Sequence, residues 1–217
     1  MKRRAPAQTS PRLHLVKTPL QALLVIPIKP FASAKGRLSQ VLSPAQRAQL
    51  ARECAERVVK SAGSISVLVV TDASDNNEVP AWAREHGAEC LMQVSAGLNG
   101  AVNDAMAYAR SNSFTHVLIA HSDVPLAHNI AQFLEADTVC IVPDSAHDGT
   151  NVLVLPTALP FSFHYGVGSF SAHVAEAMSH GLAPRIALSD EWALDLDEPE
   201  DLHHPRIHEE FPWLTMN

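Results

Sequence analysis

Short apolar runs that alternate with amphipathic helical patterns dominate this sequence from residue 21 onwards, and they restrict the folds available to it. Residues 23–28 form the first run, which is continuous enough for a strand buried on both faces. A helix start follows at Ser43, Pro44 and Gln46, which supply an N-cap, a proline at the first helical position and a capping-box partner. Gly63 suits the end of that helix.

The alternation continues to about residue 188. Further strands are predicted at 65–70, 89–92, 116–121, 138–142, 152–155 and 185–188, and further helices at 81–86, 99–110, 128–135 and 169–178. Strands that alternate with helices predict an α/β fold, here a three-layer α/β/α sandwich with a mainly parallel sheet. Ligands in such folds bind beyond the carboxyl ends of the strands.

The chain length of 217 residues suits one domain. We expect a basic, flexible arm at 1–20, a single domain at 21–204 and a tail at 205–217. The first 17 residues contain five basic residues and no acid, although the whole chain has a net charge of −7. Because the body is acidic, we expect small-molecule substrates and no nucleic-acid partner, and we leave a homodimer open.

Cysteine usage and hydropathy indicate a cytoplasmic protein. Cys54, Cys90 and Cys140 are scattered and lie in apolar surroundings, as is typical of reduced thiols. The apolar stretch 20–28 is interrupted by Gln21 and by a proline, so it reads as a strand rather than a signal peptide. No run approaches the roughly 18 apolar residues of a membrane span, and the spacing of the histidines does not favour a zinc site.

Acidic residues are concentrated near the end of the chain, with seven carboxylates between Asp190 and Asp201. Asp195 and Asp197 flank a leucine, which suggests an extended segment whose two carboxylates point to the same side. Such a pair repels itself unless a cation or water separates the charges. The alternative is an acidic run that is simply solvated.

Another carboxylate, Asp123, follows the apolar run 117–120. A carboxylate at the tip of a buried strand, together with a carboxylate pair elsewhere, is what a magnesium-dependent phosphoryl or nucleotidyl transfer site needs. The alternative is a strand-ending turn, because Asp123 is followed by Val124 and Pro125.

The loop after the first strand is cationic. Lys29, Lys35 and Arg37 fall within nine residues, and Gly36 would allow a close backbone approach. This pattern suits a polyphosphate, with the arginine able to bind two oxygens at once. A solvated basic loop is the other interpretation.

Two glycine-containing turns precede regular elements and could bind an anion. The sequence Asp-Gly-Thr-Asn at 148–151 precedes an apolar strand, and its Thr150 hydroxyl is available to an anion. Gly166 and Ser169 belong to a Gly-x-Gly-Ser turn that opens a helix, whose free amides favour phosphate or carboxylate. Each pattern could equally be an ordinary turn or helix cap.

The motifs of the chain, taken in order, resemble a known family. They are Lys29-Pro-Phe, Ala34-Lys-Gly-Arg-Leu38, Leu42-Ser-Pro-x-x-Arg47, Gly97-Leu-Asn-x-Ala101, Asp123-x-Pro-Leu126, Gly149-Thr-Asn151, Gly166-x-Gly-Ser-Phe-x-x-His173 and Asp195-x-Asp-x-Pro-x-Asp-Leu202. Over about residues 22 to 202 the chain resembles the 2-phospho-L-lactate/phosphoenolpyruvate guanylyltransferase family of coenzyme F420 biosynthesis.

The resemblance implies a fold, a reaction and ligands. The fold would be that of the nucleotide-diphospho-sugar transferases (GT-A, Rossmann-like). The reaction would join GMP from GTP, the co-substrate, to phosphoenolpyruvate, 2-phospho-L-lactate or 3-phospho-D-glycerate, with release of pyrophosphate and with Mg²⁺ as cofactor.

The resemblance also implies roles for individual residues. Asp123, Asp195 and Asp197 would be the magnesium ligands. The phospho-acid would be held by Thr150, Gly166 and Ser169. The GTP would be bound by Lys29, Lys35, Arg37, Gly97 and Asn99. The catalytic residues would be Asp123 and the three cations Lys29, Lys35 and Arg37.

Three positions depart from the family pattern. His121 stands where a small or apolar residue is expected, Ala127 where a second leucine is usual, and Gly36 in place of a more familiar serine. None of these changes removes a predicted ligand, but His121 lies beside the expected metal site.

The chemistry fits these residues, because a phosphate oxygen that is already anionic needs no activated nucleophile. Two alternatives stay open. One is another nucleotidyltransferase of this fold, acting on a sugar phosphate or on the molybdenum cofactor. The other is a non-catalytic nucleotide-binding protein with a solvated acidic cluster. The sequence does not identify the acceptor.

Overall fold

The computed structural model describes residues 20–72, 74 and 77–214. The predicted basic arm therefore lies outside the described residues, apart from Leu20. The strands are β1 (Ala22–Pro27), β2 (Ser66–Thr71), β3 (Glu89–Met92), β4 (His116–Ala120), β5 (Cys140–Pro143), β6 (Thr150–Pro156) and β7 (Arg185–Ile186).

Six α-helices lie within the described residues. They are α1 (Pro44–Ser61), α2 (Glu78–Glu85), α3 (Gly97–Ser111), α4 (Ser169–Ser179), α5 (Asp190–Ala193) and α6 (Pro205–Glu210). Short 3-10 helices occur at Phe31–Ser33, Gly36–Gln40, Ile130–Phe133 and Pro199–His203.

The described strands form one sheet in the order β3-β2-β1-β4-β6-β5-β7. The pairs β1–β2, β1–β4, β2–β3 and β5–β7 are parallel, whereas β6 runs antiparallel to both of its neighbours. The predicted α/β fold with a mainly parallel sheet is confirmed. The carboxyl ends of β1, β2, β3 and β4 meet at one edge, where a ligand is expected.

Alternate residues of β1 enter the two hydrophobic layers of the domain. Leu24 and Ile26 pack with α1 and α2 on one face, while Leu23 and Val25 pack with α3 on the other. All four are at most 2% exposed. Burial on both faces explains why the strand is a continuous apolar run rather than an alternating one.

The start of α1 is formed as predicted. The Ser43 hydroxyl accepts a hydrogen bond from the Gln46 backbone N–H, and the Gln46 side chain accepts one from the Ser43 N–H. The helix predicted at 128–135 is wrong, because only a 3-10 turn forms there. Asn129 precedes this turn with a left-handed backbone, and burial of Ile130 and Phe133 three residues apart suits a single 3-10 turn.

The chain beyond residue 204, predicted as a tail, packs against the domain as far as it is described. Ile207, Phe211 and Leu214 belong to a third hydrophobic cluster. The cluster also includes Leu38 of the cationic loop (residues 29–38) and Leu196 of the acidic segment (residues 190–201). This cluster therefore ties the cationic loop to the acidic segment. None of the described helices has the length and hydropathy needed to cross a membrane.

Candidate active site

A cleft of about 510 Å³ opens at the carboxyl ends of β1, β2 and β4. Its polar lining residues are Lys29, Lys35, Asp72, Gln93, His121, Ser122, Asp123, Asp195 and Asp197, and its apolar ones include Pro27, Val70, Leu98 and Ala101. The cleft thus unites carboxylates and cations that are up to 168 residues apart in the chain, Lys29 and Asp197 being the extremes.

A buried ion pair joins the cationic loop to the end of β4. The Lys35 Nζ lies 3.0 Å from Asp123 Oδ2 and 2.5 Å from the Leu196 carbonyl oxygen, and the lysine side chain is only 6% exposed. Burial is the largest single effect on the Lys35 ammonium and disfavours it, but Asp123, together with Cys54 and Asp197, outweighs burial and raises the pKa of Lys35. Burial likewise disfavours the Asp123 carboxylate, but Lys35, together with His121, outweighs it and lowers the pKa of Asp123.

The loop that presents Lys35 has an unusual backbone, since Lys35 itself adopts the left-handed conformation (φ 55°). A Cβ atom added at Gly36 would meet no protein atom within 4 Å, so the expected close approach to a polyphosphate stays a prediction. Arg47 holds the loop, because its Nη1 donates to the Ala34 carbonyl oxygen at 3.2 Å.

Asp195 lies beside Asp123, since the Leu196 N–H donates to the Asp123 carbonyl oxygen at 3.1 Å. Burial and the neighbouring Asp123 carboxylate raise the pKa of Asp195 to about 6. The Asp123 Oδ1 is buried and has no hydrogen bond. These features indicate a place where a cation would relieve both the repulsion and the unpaired oxygen.

Asp197 lines the same cleft but has a different neighbour. Its Oδ2 lies 2.8 Å from Arg37 Nη1, which also contacts Glu198 Oε1 at 2.8 Å. The Arg37 side chain is 66% exposed and does not line the cleft, so it positions the Asp197 carboxylate rather than facing a nucleotide. Across the described residues, no three His, Cys, Asp or Glu side chains form a ready-made metal cluster.

Gly97 and Asn99, which are also predicted to bind the nucleotide, differ in their position relative to the cleft. Gly97 lines the cleft at the start of α3, with a left-handed backbone (φ 76°) that favours glycine. Asn99 does not line it. Its Oδ1 accepts from the Tyr165 N–H at 2.7 Å, and its Nδ2 donates to the Tyr165 carbonyl oxygen at 3.1 Å. In the structure Asn99 therefore holds the segment before α4, and its contact with GTP stays a prediction.

Thr150 and Ser169, predicted to hold the phospho-acid, are not among the residues that line the cleft, and they are 0% and 2% exposed. Gly166 is exposed at the turn that leads into α4. Thr150 accepts from His173, whose ring is oriented by the His164 N–H donating to Nε2 at 3.0 Å. The neutral ring then carries its proton on Nδ1, which lies 3.0 Å from Thr150 Oγ1.

Sequence reasoning missed several residues that build this region. The Leu196 carbonyl is a backbone group, so no side-chain pattern could reveal its bond to Lys35. The Asn151 amide donates to the Trp192 and Ala193 carbonyl oxygens and thereby anchors the acidic segment. Gln93 could have been found, because it directly follows the predicted strand 89–92 at the edge where ligands bind.

Burial of His173 predicts a dependence of stability on pH. Its burial, followed by the nearby His164 and His121, lowers the pKa of His173 from 6.5 to about 4. Between these values the unfolded chain binds a proton that the folded protein does not, so stability falls as pH decreases. The contribution is about 3 kcal/mol between pH 6.5 and pH 4. Urea unfolding at pH 7.5, 6 and 5 should show this loss.

The matched variants are His173→Gln, which cannot titrate, and His203→Gln, which alters an exposed histidine. The first should flatten the pH dependence of the free energy of unfolding, and the second should leave it unchanged. Equal slopes in wild type and His173→Gln would contradict the assignment.

Comparisons with known proteins identify a matching family and individual relatives. Residues 22–211 match the family described as "Guanylyl transferase CofC like". The chain is 39% identical over 194 residues to the phosphoenolpyruvate guanylyltransferase of Rubrobacter xylanophilus, covering 84% of this chain and 92% of the relative. It is 32% identical over 203 residues to the 2-phospho-L-lactate guanylyltransferase of Methanothermobacter thermautotrophicus, covering 88% and 86%.

The fold has a solved counterpart. A nucleotide-diphospho-sugar transferase structure from Desulfovibrio desulfuricans G20 superposes with a TM-score of 0.71 at 13% identity, covering 90% of this chain and 96% of the other. The predicted fold is thereby confirmed.

Proposed function

This chain belongs to the CofC-like guanylyl transferase family, and we propose that it transfers GMP from GTP to a three-carbon phospho-acid in coenzyme F420 biosynthesis. It is a nucleotidyltransferase. The observation that carries the proposal is that Lys29 and the buried Lys35 line the same cleft as Asp123 and Asp195.

The carboxylates of the cleft fit a divalent metal ion. Asp123 has a buried oxygen without a hydrogen bond, and its charge helps to raise the pKa of Asp195. Oxygen ligands of this kind suit Mg²⁺. Asp123 and Asp195 would hold the ion, and Asp197, whose Oδ2 pairs with Arg37, would offer its other oxygen. When bound, Mg²⁺ neutralises phosphate charge and orients the phosphates for in-line displacement.

The remaining chemistry belongs to the side chains and backbone of the cleft. Lys29, at the end of β1, offsets the charge of the GTP phosphates, and the amide-rich start of α3 at Gly97 favours anions. Lys35 keeps Asp123 ionised and in place. An oxygen of the acceptor phosphate attacks the α-phosphorus of GTP, the bond to the β-phosphate breaks, and pyrophosphate leaves. No general base is needed, since the attacking oxygen is already anionic.

The acceptor would be a phospho-acid held at Thr150, Gly166 and Ser169. Relatives are named for phosphoenolpyruvate and for 2-phospho-L-lactate, and 3-phospho-D-glycerate has the same two anionic groups. Because Thr150 and Ser169 are buried, the turn from Gly166 to Gly168 has to move outward to admit the acceptor. Both of these glycines have positive φ, 137° and 72°, so the turn is built from residues that tolerate unusual conformations.

The test is a matrix of GTP, ATP, CTP and UTP against the three phospho-acids, with and without Mg²⁺. We expect magnesium-dependent pyrophosphate release with GTP and at least one acid. Mass spectrometry should show a product heavier than that acid by a guanylyl group. Pyrophosphate release with a sugar phosphate instead would favour another nucleotidyltransferase, and metal-independent GTP binding without any product would favour a non-catalytic protein.

The cytoplasmic location and the homodimer stay predictions. Gel filtration with light scattering tests the second of these directly.

A further inference from the structure

The end of the cleft away from Asp123 and Asp195 carries two polar residues to which the proposed mechanism gives no role. Asp72 follows β2, and Gln93 follows the neighbouring strand β3. Both line the cleft, next to the apolar residues Val70, Leu98 and Ala101. An apolar floor with a few polar groups at its edge suits a flat ring such as a nucleobase.

Within the described part of the chain, Asp72 has one carboxylate oxygen without a hydrogen bond, and the residue lines this end of the cleft. Its Oδ1 accepts from the Ser74 N–H at 2.9 Å and from the Ser74 hydroxyl, which fixes the carboxylate. These hydrogen bonds, with a smaller effect of Lys29, hold the pKa of Asp72 below its usual value. The group is therefore ionised at neutral pH, and its Oδ2 can only accept hydrogen bonds.

Gln93 also presents an acceptor. Its backbone N–H donates to the Thr71 carbonyl oxygen at 2.8 Å, and its Nε2 donates to the Ser95 carbonyl oxygen at 3.1 Å. No hydrogen bond from another described residue reaches the side-chain oxygen Oε1, which is therefore left for a ligand. Ser95 is itself held by Asp104, which accepts from the Ser95 N–H at 2.8 Å and from its hydroxyl at 2.8 Å. The segment that orients the Gln93 amide is thus anchored to α3.

Asp72 and Gln93 thus offer two adjacent hydrogen-bond acceptors, and such a pair selects a particular base. Guanine presents two neighbouring donors on its Watson–Crick edge, the N1–H and the exocyclic amine. Adenine and cytosine place an acceptor beside their amine, and uracil has one donor between two acceptors. An acceptor facing an acceptor loses its hydrogen bond and is desolvated without compensation. Only guanine matches both Asp72 and Gln93.

The spacing of the strands agrees with a nucleotide lying across the cleft. β2 is separated from β4 by β1, so Asp72 and Asp123 follow strands about 10 Å apart. Lys29 follows β1, between the two. A nucleotide with its base at Asp72 would place its phosphates at Lys29 and toward Asp123. We propose that Asp72 and Gln93 together read the Watson–Crick edge of guanine and make the protein select GTP. This inference rests on the proposed function.

The experiment compares Asp72→Asn and Gln93→Met with wild type, using GTP, ITP and 2′-deoxy-GTP at saturating phospho-acid and Mg²⁺. ITP differs from GTP only by lacking the exocyclic amine. Wild type should prefer GTP over ITP by about 10-fold in kcat/KM. Asp72→Asn should reduce kcat/KM for GTP by about 30-fold and Gln93→Met by about 10-fold, mainly through KM, because the base is remote from the reacting atoms.

The preference for GTP over ITP should fall to about one in at least one of the two variants. Matched controls are Asp137→Asn and Gln132→Met, which make the same replacements at exposed positions outside the cleft. Both controls should retain wild-type kinetics, and thermal melting verifies that all four variants fold.

The outcomes separate the inference from the proposed function. The inference is wrong if both variants keep the wild-type preference for GTP over ITP. If, in addition, the kcat/KM of wild type for 2′-deoxy-GTP is as low as that of Asp72→Asn for GTP, Asp72 contacts the ribose instead of the base. Unchanged KM for GTP in both variants also overturns it. A wild-type protein that uses ATP or CTP as well as GTP would overturn the inference alone, whereas a wild-type protein that releases no pyrophosphate from GTP with any of the three phospho-acids would overturn the proposed function.

Discussion

Asparagine in place of Asp123 is expected to reduce kcat by at least about 1,000-fold, because the variant loses a carboxylate needed for the metal ion and for charge neutralisation at the phosphates. The replacement should also affect stability, because the Lys35 side chain is 6% exposed and has Asp123 as its ion-pair partner. Removing one member of a buried pair leaves the other charge uncompensated, so stability should fall by about 3 kcal/mol.

Steady-state pyrophosphate release and urea unfolding measure the two effects of Asp123→Asn. The matched control is Asp137→Asn, an exposed aspartate near the opposite edge of the sheet, where neither property should change. A double variant, Lys35→Met with Asp123→Asn, removes both charges and should recover part of the lost stability without recovering activity. Full activity in Asp123→Asn would disprove the assignment of the catalytic cleft.

At Asp195 the same replacement is expected to have the opposite effect on stability. Its pKa is raised to about 6 from 3.8, so the folded protein binds a proton more tightly than the unfolded chain between these values. Stability therefore falls as pH rises through this window and stays lower above it. Asp195→Asn should stabilise the metal-free protein by about 1–3 kcal/mol at pH 8 and leave it little changed near pH 4.

Activity should nevertheless fall at least about 100-fold in Asp195→Asn, since a ligand of the metal ion is lost. The binding readout is thermal melting with increasing Mg²⁺ and GTP. Wild type should gain stability through ligand binding, whereas Asp195→Asn should gain much less. A variant that is destabilised at pH 8, or that keeps the wild-type response to Mg²⁺, would rule out the proposed role of Asp195.

The opposite signs at Asp123 and Asp195 follow from their different partners. Asp123 has a lysine ammonium at 3.0 Å, which stabilises its charge, whereas Asp195 is near a like charge and partly desolvated. Both residues are aspartates at the mouth of the same cleft. Their chemical identity is therefore insufficient to predict what each contributes to stability.

Several features of the site were predictable because they depend on residues that are close in the chain. The capping box of α1 lies within four residues, and the continuous apolar run of β1 reflects burial on both faces of the sheet. Other features were not predictable because they depend on distant partners. Asn99 engages Tyr165, 66 residues away, and Arg37 engages Asp197, 160 residues away.

The direction of β6 is another feature that the sequence did not reveal. An apolar run buried on both faces reads alike whether its strand is parallel or antiparallel, so the reversal between β4 and β5 was not predictable. It has a consequence for the site, since β6 begins, rather than ends, at the edge where the cleft lies. Thr150, its first residue, therefore lies at this edge of the sheet, where it is buried and does not line the cleft.

The periodicity and the caps of this sequence were sufficient to determine an α/β sandwich, because local backbone preferences and burial patterns are encoded residue by residue. The ordered motifs indicated a nucleotidyltransferase through their resemblance to a known family. Only the tertiary structure decided which charges meet. Lys35 pairs with Asp123, Arg37 with Asp197, and Asp72 lies beside Gln93 because strand order and loop packing bring separate segments together. Electrostatic interactions depend on distance and burial in space, and neither quantity is contained in the spacing of residues along the chain.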